Sequence, residues 1–92
     1  MKSVFQRDKE CWVCGMNRDC HEHHIFGGPC RKASEKRGLK IYLCPGHHNM
    51  SDAGIHFNED LDNQVKTMGQ KYYESHYGSR DQFRSEFIRS YI

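Results

Sequence analysis

The 92-residue sequence predicts a single α+β domain, residues 1–92, in which two short strands and a short helix are tied together by clustered ligand residues and two further helices follow. Three observations lead there. Two knuckle-spaced pairs, Cys11-x-x-Cys14 and Cys44-x-x-His47, offer the four soft or borderline ligands that close a tetrahedron around a structural zinc. Between them lie short apolar runs that end at turn residues, the pattern of strands. Beyond them, apolar residues recur at three-to-four spacing, the pattern of helices. The boundaries expected are a zinc-stapled core over 11–58 and a helical tail over 59–92.

Composition explains why such a chain needs a metal. A domain this short buries a modest share of its surface and gains from a staple. Five cysteines are an odd number for disulfides, no apolar leader follows Met1, and seven histidines accompany them, which favours thiolate–metal chemistry in a reducing cytoplasm. No apolar run approaches the roughly 20 residues of a membrane span, so no membrane partner is expected. The net charge of +2 is small, but its distribution is uneven. Arg31, Lys32, Lys36, Arg37 and Lys40 crowd one segment with Glu35 as the only acid, whereas Asp52, Glu59, Asp60 and Asp62 cluster later. A basic segment between two ligand clusters suits phosphate contact, with Arg31, Lys32, Lys36 and Arg37 as the candidates.

Taken in order, residues 1–10 read as a short arm or one strand leading into the first knuckle, where Gly15 permits the tight turn around a metal. A strand runs from His21 to Phe26 and stops at Gly27-Gly28-Pro29. Leu39 to Leu43 forms a second strand feeding into Cys44, and the two make a hairpin around a long basic loop. A short helix beginning near Pro45 carries His47 and His48 and stops at Gly54. Asn58 caps a third-segment helix with Leu61, Val65, Met68, Tyr72 and His76 on one stripe, weakened by Gly69 and ended by Gly78. Ser79 and Gln82 form a capping box for a last helix whose apolar face is Phe83, Phe87, Ile88 and Tyr91. That face is expected in the core, with a homodimer interface as the alternative.

Once Cys11, Cys14, Cys44 and His47 are assigned to zinc, His23, His24 and His48 remain. Neighbours on a strand point to opposite faces, so His23 and His24 need different roles: one ligates a divalent cation and the other, as neutral imidazole, accepts a proton from water. His48 follows a zinc ligand and can be aimed at the same cation. His56 is a further candidate ligand. Cys20 and Cys30 belong to no paired spacing and read as ordinary thiols.

The series Cys11-Trp12-Val13-Cys14, His23-His24-Ile25 and Leu43-Cys44-Pro45-Gly46-His47-His48-Asn49 resembles the HNH endonucleases, the ββα-metal nucleases, in their zinc-stapled form. More narrowly, His23 through Gly28, Ser34-Glu35-Lys36 and His48 through Asp52 are similar to small phage and prophage HNH proteins related to the RecA-dependent recombination-enhancement nuclease. The resemblance covers about residues 11 to 58. It implies a metal-dependent hydrolase of DNA phosphodiesters with low sequence specificity, encoded by a phage or prophage, with a recruiting recombination or phage protein as a candidate partner. It further implies His23 and His48 as ligands of the catalytic divalent cation and His24 as general base.

The chain departs from that pattern twice. Leu39 and Lys40 stand where the family's middle asparagine lies, leaving a backbone carbonyl or Glu35 to hold the ring of His24. His23 replaces an aspartate, which favours Mn²⁺, Ni²⁺, Co²⁺ or Zn²⁺ relative to Mg²⁺, with Mg²⁺ still able to serve in cells. The rival expectations are a zinc-stabilised DNA- or protein-binding module without catalysis, and a structural phage protein whose metals only staple the fold.

Overall fold

The computed structural model describes residues 1–49 and 54–92. Asp52 of the acidic cluster and the Met50–Asp52 part of the resemblance lie outside them. Strand β1 (His21–His24) is followed by a 3-10 turn (Gly28–Cys30), helix α1 (Arg31–Arg37), strand β2 (Lys40–Leu43), helix α2 (Pro45–His48), helix α3 (Glu59–His76) and helix α4 (Arg80–Phe87). The expected α+β composition is therefore present as a two-stranded antiparallel sheet and four helices among the described residues. His21 pairs with Leu43, Glu22 with Tyr42, His23 with Ile41 and His24 with Lys40.

The segment read as a long basic loop is instead helix α1. It has no apolar stripe to announce it, and only Ser34 of its residues is buried. The Ser34 hydroxyl accepts from Phe26 N and donates to the Leu39 carbonyl, joining the ends of both strands. Gly38 then ends the helix in the left-handed region, at φ 70°. Residues 1–10 form an irregular arm rather than a strand. It lies along the outer edge of β2, where Gln6 Oε1 accepts from Tyr42 N at 2.7 Å and the Ser3 hydroxyl donates to the Lys40 carbonyl. Unpaired edge groups are thereby satisfied.

Helix α2 ends at His48, with Asn49 beyond it, and not at Gly54. Helix α3 begins as expected, with the Asn58 side chain accepting from Leu61 N at 3.1 Å. Val65 of the expected stripe is buried and Leu61, Met68 and Tyr72 pack half-buried against the core, while His76 is exposed; the deepest positions also take in Gly69, Gln70 and Tyr73. Gly69 lets this side of the helix come close to the sheet end at Ile25 and Phe26. Phe26 packs so closely there that a methyl group on Gly69 would stand 3.0 Å from its ring. Gln70, fully buried, donates to Glu74 and Ser90 at 2.9 Å each and accepts from Tyr91 N at 2.6 Å, which ties the chain's last residues to α3.

The Ser79–Gln82 capping box starts α4. Phe83 and Phe87 are buried, and their rings meet Phe26 at centroid distances of 5.3 and 4.8 Å. The helix stops at Phe87, so Ile88 turns outward and is 68 % exposed instead of extending the apolar face. The aromatic stripe is used inside the chain. A dimer through the tail would have to use Ile88 and Ile92, since Phe83 and Phe87 are enclosed. Among the described residues no helix is long and apolar enough to cross a membrane.

Candidate metal centre

Two ligand clusters sit on either side of α2. In the first, Cys11, Cys14, Cys44 and His47 bring their ligand atoms within 4.8 Å of one another. Cys14 Sγ is 3.8 Å from Cys44 Sγ, and His47 Nδ1 lies 3.7 Å from Cys11 Sγ and 3.2 Å from Cys44 Sγ. A zinc tetrahedron with bonds of about 2.3 Å to sulfur and 2.0 Å to nitrogen has edges of roughly 3.5–3.8 Å. The fit is close. Both pairs are shaped by backbone turns: Gly15 N donates to Cys11 O at 2.8 Å with Gly15 at φ 78°, and His47 N donates to Cys44 O at 3.1 Å. Burial pushes the Cys11 thiol up, but the backbone donors of Cys44, Cys14 and Val13 outweigh it and bring the pKa to about 6, favouring the thiolate. The cluster is a candidate structural metal site suited to zinc.

The second cluster is built from β1, α2 and the turn at 54–57. Strand alternation turns His23 inward, where it is buried. Helix α2 delivers His48. Ile55 N donates to His47 O at 2.8 Å and His56 N to His48 O at 3.3 Å, and buried Ile55 anchors this turn so that His56 comes alongside. His23, His48 and His56 bring their ligand atoms within 4.8 Å of one another, with 3.1 Å between Nε2 of His48 and Nε2 of His56. That distance matches an edge of roughly 3.0–3.4 Å around a cation with bonds of about 2.1 Å. Burial, then His48 and His56, hold the His23 pKa down to about 3, so the ring is neutral. Its Nε2 is buried with no hydrogen-bond partner among the described residues. A buried orphaned lone pair facing two other imidazoles is costly unless an ion takes it. The residues fit a divalent cation.

His24 turns the other way and meets a third set. Its Nε2 lies 3.1 Å from Glu35 Oε1 and 3.8 Å from Glu22 Oε1. Lys40, whose side chain is 7 % exposed, bridges Glu35 at 2.8 Å and Glu22 at 3.2 Å. Lys40 first, then the Met1 amine and His24, hold the Glu35 carboxyl well below the usual range. Although Glu22, His24 and Glu35 have the mutual spacing of a metal set, the Lys40 ammonium already bridges both carboxylates and the Met1 amine pairs with Glu35 at 2.8 Å as well. The set reads as an orienting network for His24.

Glu22, His23 and His24 all line one cleft of about 690 Å³ that also takes in His48, His56, Arg31, Asp62 and Lys66. Consecutive residues of β1, which alternate between its faces, therefore line it. Of the basic candidates, Arg31 borders the cleft and Lys32 and Lys36 are exposed on α1. Arg37 is committed elsewhere: its guanidinium grips Glu86 at 2.9 and 3.2 Å and lies 5.0 Å from the Tyr77 ring centroid. Two participants were not picked out from the sequence. His21 contacts His48 at 2.9 Å and could have been found from its i, i+2 relation to His23; Lys66 enters from α3 and carried no signal. Comparison with protein-family models, with curated proteins and with solved structures returned no significant match.

Proposed function

We propose that the chain is a metal-dependent endonuclease of the HNH type that hydrolyses DNA phosphodiester bonds with low sequence specificity. The observation that carries this reading is the cleft in which a partnerless, buried His23 Nε2 converges with His48 and His56 while His24, braced by Glu35, lines the same space. A divalent cation held by the three imidazoles would supply Lewis-acid stabilisation of the phosphoryl charge and of the leaving oxygen.

The chain's own residues supply the rest. Donation from His24 Nε2–H to Glu35 leaves Nδ1 as the lone pair that accepts a proton from the attacking water. Glu35 orients that ring in place of the middle asparagine that the resemblance lacks here. Arg31, Lys32, Lys36 and, from α3, Lys66 suit contact with backbone phosphates, which fixes the strand without reading bases. Lys66 is itself steadied by Asp62 at 2.9 Å.

The test is nicking of supercoiled plasmid by purified protein in Mg²⁺, Mn²⁺, Ni²⁺ or Co²⁺, with a chelator control. Metal-dependent nicking that His24→Ala abolishes, with DNA binding retained, is the expected result. Absence of nicking in every metal would leave a zinc-stabilised binding module.

A further inference from the structure

We propose that His21 is the positioning residue of the histidine cluster, holding His48 by its outer nitrogen so that the inner one faces the cation. The proposal rests on the reading of His23, His48 and His56 as cation ligands. His21 and His23 lie two apart on β1 and so share a strand face. His21 pairs with Leu43 at the end of the sheet, beside the turn through Cys44 that starts α2. The strand end and the helix bearing His48 are thereby brought together.

The contacts divide the two nitrogens of His48. Nε2 lies 3.1 Å from His56 Nε2, inside the cluster, and Nδ1 lies 2.9 Å from His21 Nδ1, outside it. An imidazole that gives Nε2 to a cation carries its proton on Nδ1. His48 Nδ1–H therefore donates to His21 Nδ1, and His21 keeps its own proton on Nε2. This contact sets the tautomer and turns the ring, as outer partners of metal-bound histidines commonly do. His21 stands outside the set of three whose ligand atoms share the close mutual spacing. As an outer partner it leaves coordination positions open for water and substrate.

The experiment uses zinc-loaded full-length chain titrated with Co²⁺. The readouts are the affinity for the ion beyond the structural zinc and the hyperfine-shifted, exchangeable imidazole N–H resonances of the Co²⁺-loaded protein. Wild type is expected to show a slowly exchanging N–H from His48, absent from His48→Ala. In His21→Ala that resonance is lost to exchange and affinity falls by about 10- to 100-fold. His21→Asn, whose carbonyl oxygen stands near the place of Nδ1, restores both in large part. Wild-type affinity and a protected His48 N–H in His21→Ala overturn the proposal while leaving the cation site standing. Failure of wild type to take any ion beyond the zinc overturns the cation reading and the proposal with it. Should His21→Ala melt, an unprotected His48 N–H in wild type, or loss of the resonance in folded His21→Asn, is equally decisive against it.

Discussion

Nε2 of His24 and a carboxylate oxygen of Glu35 lie 3.1 Å apart, joining strand β1 to helix α1 at the rim of the cleft. Glu35 remains ionised because Lys40 donates to it at 2.8 Å. If His24 is the base, removing its brace should slow chemistry without weakening DNA binding. Glu35→Ala is expected to lower the nicking rate by about 10- to 100-fold and Glu35→Gln, which keeps an acceptor, by less. Single-turnover nicking alongside a DNA-binding isotherm checks this. An unchanged rate in Glu35→Ala would remove Glu35 from the mechanism.

Arg37 separates structural from DNA-contacting basic residues. It makes a two-pronged pair with Glu86, which also accepts from the Tyr73 hydroxyl at 2.8 Å, and thus ties α1 to the tail. Arg37→Ala should cost about 2 kcal/mol, since it strands a half-buried carboxylate, or roughly 10 °C in Tm for a domain of this size. DNA affinity should stay within twofold. Arg31→Ala and Lys66→Ala are expected to do the reverse, sparing Tm and flattening the salt dependence of binding. Thermal melts and salt titrations of the three variants distinguish these roles.

Gly69→Ala sets two effects of known sign against each other. Alanine gains about 0.8–1 kcal/mol of helix propensity. Its methyl, however, would stand 3.0 and 3.2 Å from Phe26 ring atoms and 3.3 Å from Ile25 Cγ2. Phe26 cannot easily yield, because Phe83, Phe87 and Tyr91 surround it. Overpacking a core of this kind costs about 1–3 kcal/mol, so the net expectation is destabilisation of about 1 kcal/mol. A denaturant melt with a raised midpoint would show that the aromatic cluster relaxes.

These residues also show which parts of the molecule were legible in the sequence. Cys11, Cys14, Cys44 and His47 were found because a zinc knuckle is a local device whose spacing reports its geometry. The Asn58 cap and the Ser79–Gln82 box are local in the same sense. Gly69 weakens the helix signal because its cost to helix propensity is local, whereas its benefit is a contact with Phe26, distant in sequence. Helix α1 escaped notice because a short helix burying one serine has no apolar period. Arg37 looked like its basic neighbours until Glu86 was placed beside it. His56 acquired its place from two backbone hydrogen bonds to α2, which no side-chain pattern encodes.

The staple itself yields a prediction. Cys11 and Cys44 are buried in the same cluster as Leu39, Ile41, Leu43, Phe26, Phe83 and Phe87, so the cross-link is built into the core. Stripping zinc, or Cys11→Ser, is expected to abolish cooperative melting of the core, because metal-binding energy in small zinc domains is largely folding energy. Circular dichroism melts with and without zinc test it. A sharp transition surviving complete zinc removal would contradict the structural role.

The histidine cluster should bind its cation with little proton exchange near neutrality. A cation takes only neutral imidazole. Burial, then His48 and His56, hold His23 down to about 3, and burial, then His56 and His21, hold His48 below its ordinary value. Neither ring therefore carries a proton to displace at pH 7. As pH falls, protons compete with the cation, so affinity declines with acidification and never improves. At His23 and His48 that competition should begin only below the ordinary histidine range near pH 6.5. Calorimetric titration of zinc-loaded protein with Co²⁺, in two buffers of different ionisation enthalpy, counts the protons directly. Fewer than one proton released per ion at pH 7 is expected. Release of two or more would mean that His23 or His48 carries a displaceable proton in the free site.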